Sequence, residues 1–532
     1  MLFYILGLIS FSAYTTALLS GGSGHYTQNG NCSSSVISSP TLPEAEILSL
    51  SAAPVTNYVG DNFSIDFCNV TISYTHPGWN DTIHVTIWLP LQNWNGRLQG
   101  SGGGRYATRP IDSILAAAVA ANYSVVATDG GHRVNNTNAE SWFHESRSSK
   151  SWSLNALNEV NLYLLQDFAS VALNDASVVG KQVTHSFYGQ PAHHSYWNGC
   201  GTGGRQGLML AQRYPDAFDG IVAAAPAINW PSFTVGLFWP QFVMNQLSRF
   251  PPQCVMDTIT TAAVDACDDL DGVVDGVIGA ADLCQFDPAS LVGQSVNCNG
   301  VPIEITEEDT TIVQKIWEGP RSVNGSFLWH GFEPGTNLSG VANTSCSASA
   351  SDCTGVPSAM ALDWINLFVE QNPSRDLTNL SHVDLDNIFY RSNQKYSSII
   401  ATDDPDLSAF KNAGGKMISW HGLIDAGIPP KGTRQYYRRV EALDTAVRDF
   451  YRHFEAPGVG IYSCYSGSGP APTDDLDTVV EWVENGVVPE TLMAKTTDLS
   501  RERNLCPWPL VSVYQGGDEK VASSYACRES FA

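Results

Sequence analysis

The sequence predicts an α/β protein: a mostly parallel sheet with helices on both faces, interrupted by a large disulfide-rich insertion. Two observations carry that expectation. From His84 to Ala225, and again from Lys416 to Asn485, short apolar runs alternate with segments of helical spacing. This is the rhythm of a parallel sheet whose two faces are covered. Between about Trp230 and Asp406 the rhythm stops, periodicity is weak, and six of the twelve cysteines cluster, at 254, 267, 284, 298, 346 and 353. A chain of 532 residues has room for one large α/β domain carrying such an insertion. The expected division is a sheet domain over 21–229 and 407–532, with a lid over 230–406.

The elements follow in order. Residues 1–20 hold no charge and end in small residues around Thr16, Ala17 and Ser20, as a secretory signal peptide does. The part up to residue 86 is rich in Ser, Thr and Asn, with alternating runs such as Phe63 to Ile72, and reads as irregular structure and antiparallel strands. Val85 to Leu89 is a strand, and Gly96 to Gly104 is a second strand running into a glycine loop. Ile114 to Ala121 reads as a helix. Ser124 to Thr128 is a strand stopped by Asp129-Gly130-Gly131. Leu154 to Val179 has the spacing of one long helix. Val183 to Tyr188 and Tyr196 to Asn198 bracket a further turn and strand. Gln206 to Arg213 is helical and Ile221 to Ala225 extended. After the insertion, Lys416 to Trp420 and Asp449 to Glu455 are strands, and Thr433 to Leu443 and Leu476 to Asn485 are helices.

Composition narrows the partners. The chain has 28 Lys+Arg against 53 Asp+Glu, a formal net charge of −25. Such a surface repels nucleic acid and anionic membranes. Charged residues are 15% of the chain, below the roughly 25% of average soluble proteins. After residue 20 no apolar stretch approaches the roughly 20 residues of a membrane span. An even number of cysteines and ten N-x-Ser/Thr sequons, at Asn31, Asn62, Asn69, Asn80, Asn122, Asn135, Asn324, Asn337, Asn343 and Asn379, point to a secreted glycoprotein with up to six bridges. Spacing alone leaves their connectivity open.

The informative segment is Tyr196 to Gly207, YWNGCGTGGRQG, between a strand and a helix. In an α/β-hydrolase this junction reads G-x-S-x-G, and its strained apex lifts a serine hydroxyl above the sheet. Here the frame is Gly199, Cys200, Gly201, Thr202, Gly203. The apex is Gly201, which accepts positive φ without a Cβ penalty but brings no nucleophile.

At these residues the sequence resembles the fungal tannase and feruloyl esterase family. The similarity runs through SFYGQPAHHSYWNGCGTGGRQG (186–207), AQRYPDAFDGIVAAAPAINW (211–230), CDDLDGVVDGVI (267–278), HGLIDAGIPP (421–430) and APGVG with the following cysteine (456–464). It implies secretion, an α/β-hydrolase fold with a large lid, a structural calcium ion and ester hydrolysis by a Ser-Asp-His triad. Carried over by position, the acid falls on Asp425, the nucleophile on Gly201 and the histidine on Ser463, just before Cys464. No histidine occurs from Gly458 to Ala532. Two of the three triad members are therefore missing. The resemblance also implies a Cys200–Cys464 bridge, and an oxyanion loop at Gly102, Gly103 and Gly104. Cys267 and Cys284 are expected to bridge around the calcium loop. Cys32, Cys68, Cys506 and Cys527 are expected in disulfides too.

Asp268, Asp271 and Asp275 place three carboxylates in a glycine-punctuated loop, hard oxygens suited to Ca²⁺ but not at EF-hand spacing. The resemblance adds the carbonyls of Val273 and Val277 to the ligand set. His132, His193, His194, His421 and His453 are expected in structural roles. Thr202 should point away from the apex. Trp230, Phe233, Phe238 and Trp239, at the entry to the lid, suggest an apolar or aromatic ligand site. Three functions follow as expectations. The first is a pseudohydrolase that binds a small ester or other ligand, aromatic or apolar, or a partner. The second is an enzyme repurposed for cyclisation, dehydration or rearrangement. The third is an ester hydrolase with a relocated base. Oligomeric state leaves no mark on the sequence.

Overall fold

The computed structural model describes residues 32–60, 62–132, 152–347, 352–460, 464 and 467–531. The expected signal segment, 1–20, lies outside them. The main sheet has nine strands: β1 (Glu46–Val59), β2 (Ser64–Thr75), β3 (Ile83–Pro90), β4 (Arg97–Ser101), β5 (Ser124–Thr128), β6 (His194–Cys200), β7 (Gly220–Ala224), β8 (Lys416–Gly422) and β9 (Tyr451–Ala456). Their spatial order is β1-β2-β3-β5-β4-β6-β7-β8-β9. The strands from β5 through β9 pair in parallel, while β1, β2 and β3 form an antiparallel extension joined to β5.

Alternation along the central strands sends side chains to two cores. Val125 and Ala127 of β5 and Trp420 of β8 pack with Leu115 of α1 (Asp112–Ala120). Val126 of β5 packs on the other face, with Val179 and Val183. That second face is covered by the helices following α2 (Leu162–Ala169), namely α3 (Val171–Tyr188) and α4 (Thr202–Arg213), and farther along by Tyr436 and Tyr437. Each fully buried large apolar side chain contributes about 1.5–3 kcal/mol.

Three expectations need correction here. The segment Leu154 to Val179 is not one helix. Asn161 caps α2 by accepting from the Leu164 amide, and Ser170, at φ −159° and ψ −42°, separates α2 from α3. Val183 to Tyr188 stays helical to the left-handed Gly189. Its β-like composition yields to burial, because Val183 and Phe187, one helical turn apart, pack beneath the sheet. The insertion is also far more helical than its weak periodicity suggests. It contains α5 (Trp230–Gly236), α6 (Trp239–Leu247), α7 (Gln253–Cys267), α8 (Glu307–Glu318) and α9 (His382–Ile400). These helices share one core, which also takes in Tyr106, Leu165 and Phe168 from the sheet-forming part of the chain. Bridges Cys254–Cys298, Cys267–Cys284 and Cys346–Cys353 staple it internally. After it come β8, α10 (Pro430–Leu443), β9 and α11 (Asp475–Asn485), the last packed on the α1 face through Val479 and Trp482.

All twelve cysteines are paired. The remaining bridges are Cys32–Cys68, Cys200–Cys464 and Cys506–Cys527. Six disulfides fit an oxidising compartment. No described helix is long and apolar enough to cross a membrane.

Candidate active site

β6 ends at Cys200 and α4 starts at Thr202, so Gly201 alone makes the turn. Its backbone sits at φ 61° and ψ −111°. Three hydrogen bonds hold it there. Its amide donates to the Ala224 carbonyl at the end of β7, and its carbonyl accepts from the amides of Arg205 and Ala227, all at 3.0 Å. The frame around it is tight. A Cβ on Gly199 would lie 2.3 Å from the Gly203 carbonyl oxygen. The apex is open: a Cβ on Gly201 would meet only Ile428 Cδ1, at 3.9 Å. The turn therefore keeps the shape of a nucleophile elbow and lacks the side chain.

The glycine loop after β4, expected as an oxyanion loop, is stitched to this turn through two of its amides. The Gly102 amide donates to the Asn198 carbonyl at 3.4 Å, and the Gly103 amide to Gln206 Oε1 at 3.1 Å. Both are spent inside the protein. Among the described residues no acceptor lies on the amides of Gly104 or Thr202. The Thr202 hydroxyl donates to the Arg105 carbonyl at 2.7 Å, and Cys200 is oxidised. Neither supplies a nucleophile.

Two residues of α4 did not stand out in the sequence. Gln206 also donates to the Thr108 carbonyl at 3.1 Å, so it locks the glycine loop from both sides. Arg205 is fully buried, and burial pushes its guanidinium down to about 9. It donates to the carbonyls of Phe168 and Ala169, both at 3.0 Å, and lies against the rings of Phe168 and Trp230. The available signal was the polar Arg-Gln pair inside an otherwise small and apolar helix start.

The acid position lies two strands away. Asp425 follows β8, with Oδ1 accepting from the amides of Gly427 at 2.7 Å and Ile428 at 3.1 Å. Its other oxygen is 3.4 Å from His421 Nε2, and the side chain is 14% exposed. The chain leaving β9 runs directly against it: a Cβ on Gly460 would lie 2.5 Å from Asp425 N. Ser463 lies outside the described residues. Cys464, one residue on, is bonded to Cys200, which brings the second cysteine beside the elbow.

Of the five histidines, His421 faces Asp425 and the other four are placed elsewhere in the fold. His421 is buried, with Nδ1 on Thr433 Oγ1 at 2.8 Å and Nε2 on the Ile428 carbonyl at 3.1 Å. His453 is buried on β9 beside Ser419 Oγ, and burial lowers its pKa. His132 lies between the carbonyls of Gly130 and Tyr106, also lowered by burial. His193 and His194 stand at the start of β6, the end opposite the elbow. The aromatic residues at the lid entry are core: Trp230, Phe233, Phe238 and Trp239 are all buried. They do not line an open ligand surface.

The acidic loop after α7 gathers its carboxylates. Asp268 accepts from the amides of Asp275, Gly276 and Val277 at 3.1, 2.9 and 3.1 Å. Asp271 accepts from the Val273 amide and faces Arg503 at 3.4 Å. Asp275 Oδ2 pairs with Arg501 at 2.9 Å, while its Oδ1 is buried with no partner. Burial pushes the carboxyls of Asp271 and Asp275 up, and Arg503 offsets only part of that. An orphaned carboxylate oxygen among three acids fits a hard cation.

A parallel sheet, a strained strand-to-helix elbow and an acid turn two strands on define an α/β-hydrolase. The chain belongs to the tannase and feruloyl esterase family: the description "Tannase and feruloyl esterase" matches residues 68–528. A protein described as "Probable feruloyl esterase" from Arthroderma benhamiae is 38% identical, over 98% of each chain. The tannase of Aspergillus oryzae is 26% identical over 91% of this chain and 89% of its own. Among solved structures, tannin acyl hydrolase from Aspergillus niger superposes with a TM-score of 0.83 at 26% identity, covering 93% of both chains.

Proposed function

We propose that this chain is a non-hydrolytic member of an ester-hydrolase family, one that binds a carboxylic ester or related acyl compound at the elbow. The observation that carries this reading is Gly201: an apex in elbow geometry, with open space and no nucleophile. Acyl transfer by a triad needs a hydroxyl and a base to take its proton. Removing a nucleophile or its base costs about 10⁶-fold in a comparable protease, leaving about 10³–10⁴-fold over water. The amides of Gly104 and Thr202 still offer two donors to a carbonyl oxygen.

The test is aryl-ester hydrolysis by the parent beside Gly201→Ser combined with Ser463→His. An inert parent and an active double variant are expected. Turnover by the parent that falls with Asp425→Asn would overturn the proposal. Asp425 supports a second reading, because a partly exposed carboxylate beside a polarised carbonyl could move a proton without cleaving an ester. A repurposed enzyme of that kind yields product of unchanged mass, or lighter by one water.

The loop from Asp268 to Val277 would hold a structural Ca²⁺ through Asp268, Asp271, Asp275 and the Val273 and Val277 carbonyls. Metal analysis should find one calcium per chain, and chelation should lower the melting temperature. The chain would be secreted, with residues 1–20 removed, as the mass of the mature protein would reveal.

A further inference from the structure

A second cluster of acids lies apart from the elbow in sequence and outside the sequence blocks, 186–207 onward, that carry the resemblance. His76 follows β2, Asp81 precedes β3, Asp167 belongs to α2 and Asp175 to α3. His76 Nδ1 is 2.6 Å from Asp81 Oδ2 and 4.0 Å from Asp167 Oδ1. One ligand atom each from His76, Asp81 and Asp167 lies within 4.8 Å of the other two, and all three residues are buried. On the other side of the ring, His76 Nε2 is 3.2 Å from Asp175 Oδ2, which also accepts from the Tyr74 hydroxyl at 2.9 Å.

Asp167 distinguishes this cluster from an ordinary buried ion pair. It is 0% exposed, no donor among the described residues reaches either of its carboxylate oxygens, and the side chain within hydrogen-bond reach is a second carboxyl, that of Asp81. A buried carboxylate without a donor is costly. Three carboxylates surround one imidazole, so even a protonated His76 leaves negative charge uncompensated. A divalent cation would satisfy Asp167 and the charge together.

We propose that His76, Asp81 and Asp167 form a binding site for a divalent transition-metal ion of the Zn²⁺ type. One imidazole nitrogen with two carboxylate oxygens suits Zn²⁺ better than Ca²⁺, which takes oxygen ligands. Asp175 would accept the proton on the far ring nitrogen, as outer carboxylates do for metal-bound histidines. Metal entry requires the 2.6 Å His76–Asp81 contact to open, since each ligand must lie about 2.0–2.2 Å from the ion. The ion would clamp the β2–β3 hairpin to α2. The carbonyls of Phe168 and Ala169, next in sequence to Asp167, hold Arg205 of the elbow helix. The site would therefore be structural support for the elbow.

The full chain, stripped of metal by chelator, is dialysed against Zn²⁺ and its metal content measured. The parent and Asp275→Asn, which alters the calcium loop, should each retain one zinc per chain. Asp167→Asn should retain none. Zinc should raise the melting temperature of the parent by several degrees and leave that of Asp167→Asn unmoved. In the metal-free state Asp167→Asn should melt higher than the parent, because it removes the repulsion. Failure of the parent to take up stoichiometric zinc overturns the proposal, as does equal uptake by Asp167→Asn. If that variant does not fold, the parent loaded with Co²⁺ decides: an X-ray absorption spectrum without an imidazole nitrogen shell overturns it.

Discussion

The elbow and the acid turn present opposite things. At the elbow the backbone keeps its strained geometry and the side chain is absent. At the acid turn the carboxylate of Asp425 is present and faces His421, while the position that the resemblance gives to a histidine reads Ser463. Both persist for reasons local to each. Gly201 is held by the bond its amide donates to Ala224, by those its carbonyl accepts from Arg205 and Ala227, and by close packing of Gly199 on Gly203. Asp425 is held by the two amides that follow it. Each arrangement is thus accounted for by packing and hydrogen bonds within the protein.

The largest test of this contrast is at the frame. Gly199→Ala forces a Cβ to 2.3 Å from a backbone oxygen that cannot move away. It should cost about 3 kcal/mol or more and abolish soluble expression. Next is the bond that ties the two halves. Cys464→Ser opens a closed span of 264 residues and should cost about 2–5 kcal/mol in thermal or denaturant unfolding. The acid side has its own pH signature. Glu455 of β9 is held down to about 2, against its burial, by His453 and by Arg434, whose guanidinium grips it at 2.7 and 2.8 Å. A carboxyl depressed in the fold stabilises above its ordinary value of 4.5 and loses that contribution as pH falls toward 2. Glu455→Gln should flatten the acid limb of the stability curve over that window, and cost about 1–3 kcal/mol at neutral pH. The smallest effect belongs to Gly201→Ser. It meets no atom closer than 3.9 Å, so its cost is the positive φ, about 1–2 kcal/mol by melting.

Much of the elbow was legible because its information is local. Gly199, Gly201 and Gly203 stand at fixed offsets between a strand and a helix, and the close packing around Gly199 and Gly203 favours glycine at both. The same holds for β5, whose five residues end at a stop of Asp and Gly. What resisted reading depends on distant partners. Gly103 spends its amide on Gln206, 103 residues away, and nothing in the glycine loop itself announces that. The lid helices bury apolar residues on several sides, so their periodicity is blurred: Trp230, Phe233 and Phe242 all enter one core. His76 and Asp167 meet only because β2 and α2 are brought together by the fold.

The Cys200–Cys464 bond has a consequence for how the molecule comes apart. It turns the whole insertion, with β7 and β8, into a covalent ring. A protease that nicks an exposed turn between those cysteines opens the ring without releasing a piece. The cut chain keeps its mass until a reductant is added, and the elbow stays joined to the turn beside Asp425. A cut in a turn of that span is thus kept from becoming loss of the centre.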